Sequence, residues 1–141
     1  MSKTIEELLQ APYWILDILP RQVPADSPGQ FFAIERYYLQ PKRLRRIKRR
    51  HLGLILKLNC YRSISLDEEA TVDPPPEQIR EAVLGRSCFV RIGEAALLSE
   101  PDDTHMTLFG PDEELLELVR TLAAGEGLYL WQPETPPEGE S

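Results

Sequence analysis

Apolar and polar positions alternate along this chain with two different periods, and the change of period lays out its elements. From Pro41 to Tyr61 the sequence reads PKRLRRIKRRHLGLILKLNCY. Its first half is basic, with apolar residues only at Leu44 and Ile47, three apart. Its second half places Leu52, Leu54, Leu56, Leu58 and Cys60 on one parity. A spacing of three or four predicts a helix and a spacing of two predicts a strand, so the pattern predicts a basic helix feeding a buried strand from Leu54 to about Leu66, released by Gly53.

Before this stretch, Thr4 and Glu7 fit a capping box for a short helix from about Ile5 to Gln10, which Pro12 ends. Tyr13 to Leu19 is rich in strand-favouring residues, with Trp14, Leu16 and Ile18 on the expected core face. Pro20, Pro24 and Pro28 mark a loop. Ser27, Pro28 and Gln30 then predict a helix start, followed by Phe31, Ile34 and Tyr38 at helical spacing with Phe32 and Leu39 beside them. Pro41 interrupts this helix. A kink is the expected outcome, because a full break would leave Lys42 and Arg43 in a first helical turn, where the dipole disfavours positive charge.

After the basic stretch, DEEATVDPPP predicts an acidic loop, and Pro76 opens a helix carrying Ile79, Val83 and Leu84 up to Gly85. Cys88, Val90 and Ile92 alternate, Gly93-Glu94 suits a hairpin turn before Ala95 to Ser99, and THMTLF predicts another strand. Gly110 to Glu114 opens the clearest helix, with Leu115, Leu118, Val119 and Leu122 as its stripe and Gly125 and Gly127 as its stop. LYLWQP predicts a last strand. The expected fold is α+β: a mainly antiparallel sheet of about five or six strands with helices packed on one face, forming a single domain over residues 1–132. Residues 133–141 are an acidic, proline-rich tail expected to be disordered.

Composition narrows the function classes. The 141 residues are 42 % apolar and 28 % charged, ordinary for a globular chain. No apolar run nears the roughly 20 residues that span a bilayer, and acidic residues interrupt the N-terminus where a signal peptide has its apolar core. A cytoplasmic protein without a membrane partner is therefore expected. Sixteen Lys and Arg face 23 Asp and Glu, a formal charge of −7, and seven of the bases lie between Lys42 and Arg50. The molecule is an acidic body with one basic stripe, which argues against general affinity for nucleic acid.

The stripe, Lys42, Arg43, Arg45, Arg46, Lys48, Arg49 and Arg50, is the candidate partner- or anion-binding site. It suits a protein partner or a second copy of the chain, guided by opposite charges. The alternative is a nucleic-acid-binding regulator that uses this helix, with Phe31, Phe32, Tyr37 and Tyr38 for stacking. A structural explanation competes with both: a solvated face whose arginines pair with carboxylates such as Asp67, Glu68 and Glu69.

Enzymatic chemistry has weaker support, and an enzyme would need a site assembled from distant residues. Asp102, Asp103 and His105 can form a carboxylate–histidine group, but aspartates in a Pro-Asp-Asp turn ordinarily bond the backbone. His51 is expected to be a capping or interface residue. The serines lack an elbow motif, the glycines form no phosphate cradle, and no metal or cofactor is implied. Cys60 and Cys88 fall in strand-like runs and are expected to be small core residues rather than a bridge.

Overall fold

A computed structural model describes residues 4–133. In chain order the elements are α1 (Ile5–Leu9), β1 (Tyr13–Asp17), α2 (Phe31–Tyr38), α3 (Pro41–Asn59), β2 (Ser65–Leu66), α4 (Pro76–Gly85), β3 (Cys88–Ile92), β4 (Ala95–Ser99), β5 (Met106–Phe109), α5 (Glu113–Gly125) and β6 (Tyr129–Trp131). The strands form one sheet in the order β2-β3-β4-β5-β1-β6. Every pairing is antiparallel. This is the expected α+β architecture. The acidic tail lies outside the described residues, apart from Pro133.

Local chemistry explains most of the elements. Thr4 Oγ1 accepts from the Glu7 amide while the Glu7 carboxylate accepts from the Thr4 amide, which closes the capping box. Asp112 caps α5 by accepting from the Leu115 amide at 2.8 Å, with Glu113 and Glu114 over the positive end of the helix dipole. The β3–β4 hairpin turns at Gly93, whose φ of +57° suits glycine, and its register joins Ile92 to Ala95. Both edge strands are short, two residues in β2 and three in β6, which limits unwanted edge pairing.

Alternation along the strands divides the sheet into two faces. Val90, Ile92, Leu97, Met106, Leu108 and Leu16 point into the main core, where Leu54, Ile55 and Leu58 of α3, Ile79 and Val83 of α4, and Leu115 and Val119 of α5 cover them. On the opposite face α1 sets Leu8 against Ala96 and Phe109, with Phe89 and Leu98 alongside.

The largest departure from expectation is α3. Residues 54–59 continue the helix, and only Ser65 and Leu66 of the predicted strand pair with the sheet. The buried positions of α3 are Ile47, Lys48, His51, Leu52, Leu54, Ile55 and Leu58, an unbroken helical stripe. The even-numbered leucines imitate a strand because Leu56 is also apolar, although it is only partly buried. Leucine and lysine are good helix formers, and this segment has only Ile55 as a β-branched residue. Gly53 does not release the chain. A Cβ there would lie 2.5 Å from Glu126 Oε1, so its missing side chain admits the carboxylate that pairs with Lys57.

Two further boundaries move. Pro41 breaks the helix rather than kinking it: Gln40 adopts extended backbone, as residues before proline favour, and Pro41 begins α3. Helix α2 starts at Phe31, not at Pro28, and Ser27 instead accepts a turn hydrogen bond from the Gly29 amide. Of the cysteines, Cys88 is buried on β3, whereas Cys60 caps α3 and is exposed; both are free thiols. After α3, Asp73 accepts from Asn59 Nδ2, Ser63 Oγ and the Ile64 amide, which holds the return to β2. Among the described residues no helix is long and apolar enough to cross a membrane.

Candidate functional site: a cleft between α2 and the basic turns of α3

Helix α2 is weakly secured. Its sequence FFAIERYY is mostly apolar, yet none of its residues is buried. Phe32 is 73 % exposed, Tyr37 46 % and Ile34 44 %. The inward side of α2 stands away from β1 and α3 and leaves a cleft of about 750 Å3. Ile15, Ile18 and Trp131 line it from the sheet end, and Phe31, Ile34 and Tyr38 line it from α2. Trp131 is held in place by donating from Nε1 to the Leu19 carbonyl at 3.0 Å.

The break at Pro41 aims the basic stripe. Because α3 starts afresh there, Arg43, Arg46 and Arg50 fall on one helix face and line the cleft, with buried Ile47 between them. Lys42, Arg45 and Arg49 fall on a second, exposed face. The unfavourable charge of Arg43 in the first turn is offset locally: its guanidinium donates to Gln40 Oε1 and stacks 3.8 Å from the centre of the Tyr37 ring. Arg50 lies against Gly127, where a Cβ would come within 3.4 Å of Nη1.

Among the described residues, none of the seven bases between Lys42 and Arg50 forms an ion pair with a carboxylate. The acidic loop has other partners, since Asp67 pairs with Arg86 at 2.7 Å and Glu68 with Arg91 at 4.0 Å. Internal pairing therefore does not account for the stripe.

Lys48 departs from the expected surface. It is 2 % exposed, and its ammonium donates to Ser99 Oγ at 2.9 Å at the end of β4. Burial lowers its pKa to about 8, while Cys88 and the acids Asp103, Glu100 and Asp102 pull the other way. Lys48 is thus a buried cation satisfied by a hydroxyl, not part of an outward anion-binding face. Ser99 is fully buried too, which keeps this serine–lysine pair away from a substrate.

His51 also lies inside rather than at a helix end. It is fully buried, and neither ring nitrogen has a hydrogen-bond partner. Burial holds its pKa well below the ordinary histidine value, and Lys48 adds to the effect; the nearby Thr104 backbone opposes it without a hydrogen bond of normal geometry.

His105 reaches the cleft, but its acidic neighbour there is Asp17 from β1. Burial raises the Asp17 pKa, opposed by the Ile18 amide, which donates to Oδ1 at 2.7 Å, and by His105; Glu35 of α2 raises it further. Asp102 and Asp103 instead lie near Lys48. Asp17, Glu35 and Trp131 did not stand out in the sequence. The signal for Glu35 was its place beside Ile34 on the inward stripe of α2, whereas Asp17 and Trp131 carry no local mark. Among the described residues, no three His, Cys, Asp or Glu side chains converge to hold a metal ion.

Compared with the models of protein families, with curated proteins and with solved structures, the chain matches none.

Proposed function

We propose that this protein is a protein-binding module whose contact surface is the outer face of α2 together with the exposed bases Lys42, Arg45 and Arg49 of α3. One observation carries this reading: an apolar helix with no buried residue stands beside bases that have no carboxylate partner among the described residues. An exposed aromatic such as Phe32 supplies the apolar anchor that interfaces favour, and the flanking bases select an acidic partner and speed its approach. The partner is an acidic protein surface with an apolar pocket; a second copy qualifies, since the rest of this chain carries nine bases against 23 acids. A cytoplasmic setting belongs to the same reading.

A nucleic-acid reading draws on the same unpaired bases, but the acidic body repels phosphates over most of the surface. The test is photo-crosslinking of the full chain with benzoylphenylalanine at position 32, beside the same probe at exposed position 81 on α4. The expected result is a defined protein adduct from position 32 alone, either a homodimer or a complex with an acidic partner. Arg45→Gln with Arg49→Gln should weaken it, as should salt near 1 M, where the Debye length falls to about 3 Å. Equal labelling from both positions, indifference to the charge changes, or adducts with RNA or DNA would overturn it.

A further inference from the structure

We propose that the cleft beneath α2 is a separate binding site for an amphipathic organic anion: an apolar or aromatic body carrying a carboxylate, sulfonate or phosphate head and a hydrogen-bond donor at its other end. This site uses the inward face of α2 and does not depend on the protein contact on the outward face. Its volume of about 750 Å3 lies within the roughly 300–1,000 Å3 typical of small-molecule sites. Ile15, Ile18, Phe31, Ile34 and Trp131 form a largely apolar wall, which suits rings or an alkyl chain.

Charge complementarity specifies the head group. Arg43, Arg46 and Arg50 enter the cleft from one helix face, and none forms an ion pair with a carboxylate among the described residues. Guanidinium groups present paired donors that match the oxygens of these three head groups, and such charge-assisted bonds are stronger than neutral ones. Arg43, stacked on Tyr37, is held in part before any ligand arrives, which reduces the entropy cost of binding. A simple anion would leave Asp17 and Glu35 unused. These carboxyls come from β1 and α2, not from α3, and they provide acceptors for a ligand N–H or O–H. Asp17 sits partly desolvated there, where an unmatched negative charge is unfavourable and a donor is welcome.

Two dyes that differ only in the anionic group give the test: anilinonaphthalene sulfonate and the uncharged N-phenylnaphthylamine, titrated into the full chain by fluorescence. The sulfonate should bind saturably and about tenfold or more tighter than the neutral dye. Replacing Arg43, Arg46 and Arg50 together by Gln should erase that preference, weakening the sulfonate far more than the neutral dye. Ile34→Asp should weaken both dyes. Phe32→Ser, on the outward face, should change neither, so this proposal and the protein-binding reading fail separately. Each variant should keep the parental thermal unfolding midpoint, since the altered side chains are not buried. Absence of saturable sulfonate binding, equal affinities for the two dyes, or a sulfonate preference that survives the triple substitution would overturn the proposal.

Discussion

Helices α2 and α5 carry similar apolar content and end in different circumstances. Helix α5 buries Leu115, Val119 and Ala123 against the main core, with Leu118 and Leu122 packed at its margin. Helix α2, with Phe31, Ile34 and Tyr38 at equivalent spacing, buries nothing. The difference lies in what stands opposite. Helix α5 meets α3 and the sheet, whereas α2 sits after a proline-rich loop, above the end of β1, with a cleft beneath it. Spacing along a helix decides which residues share a face. The neighbours decide whether that face is sealed or left for another molecule, and a large exposed apolar face is where partners and ligands are expected.

Substitutions on the sealed helix should have the largest effect. Leu115→Ala should cost about 2–5 kcal/mol in urea unfolding, because it removes buried methyl groups and leaves a cavity. Phe32→Ser on α2 should stay within about 0.5 kcal/mol of the parent. Equal losses at the two sites would mean that α2 is as much a part of the core as α5.

The buried lysine sharpens the same contrast between sealed and open bases. Ser99→Ala should lose about 1–3 kcal/mol, because it strips a buried ammonium of its hydrogen-bond acceptor. Lys48→Met should be neutral or stabilising, since an apolar side chain of similar length removes the desolvation cost. Gln substitutions at Arg45 or Arg49, which are exposed, should stay within about 0.5 kcal/mol.

Titration follows from the two buried bases. Between pH 8 and about 10.5, unfolded chains hold the Lys48 proton while folded ones release it, so stability attributable to Lys48 rises with pH across that window. The stability difference between the parent and Lys48→Met should therefore shift in the parent's favour from pH 8 to 10. Below about pH 6.5 the unfolded chain protonates His51 while the folded protein resists, so stability falls as pH falls. His51→Leu should reduce that acid sensitivity in parallel urea titrations; an unchanged slope would place the sensitivity elsewhere.

A small net effect is expected at Gly53. Alanine there gains up to about 1 kcal/mol of helix propensity but displaces the Glu126 carboxylate from the helix surface. The moving atoms are the end of a flexible, half-buried side chain, and its ion pair with Lys57, whose ammonium side is exposed, is worth about 1 kcal/mol. Gly53→Ala should thus fall between neutral and slightly stabilising. A loss above about 1 kcal/mol would show that this contact holds α3 to α5 more firmly than a surface pair does.

Elements governed by neighbouring residues were legible before the structure. The Thr4–Glu7 box, the Gly93 hairpin and the proline–acid start of α5 each act within about four residues, and each appears close to its predicted place. The second half of α3 is not legible locally, because a leucine-rich run satisfies both periods and the position of the sheet decides between them. The basic stripe was visible, but not its division into a cleft face, an outward face and one buried member. Lys48 is satisfied by Ser99, 51 residues away, and the cleft joins β1 at Ile15 to β6 at Trp131. No local pattern records such long-range meetings.

Hydrogen exchange of the backbone amides, read helix by helix in the full chain without added ligand, tests most directly whether α2 is an uncovered element awaiting an external contact. Amides of α2 should exchange through local opening, well before those of α5, which should exchange only with global unfolding. Addition of anilinonaphthalene sulfonate should slow α2 and leave α5 unchanged. Protection of α2 equal to that of α5 in the free protein would contradict the account, because the fold alone would then secure that helix.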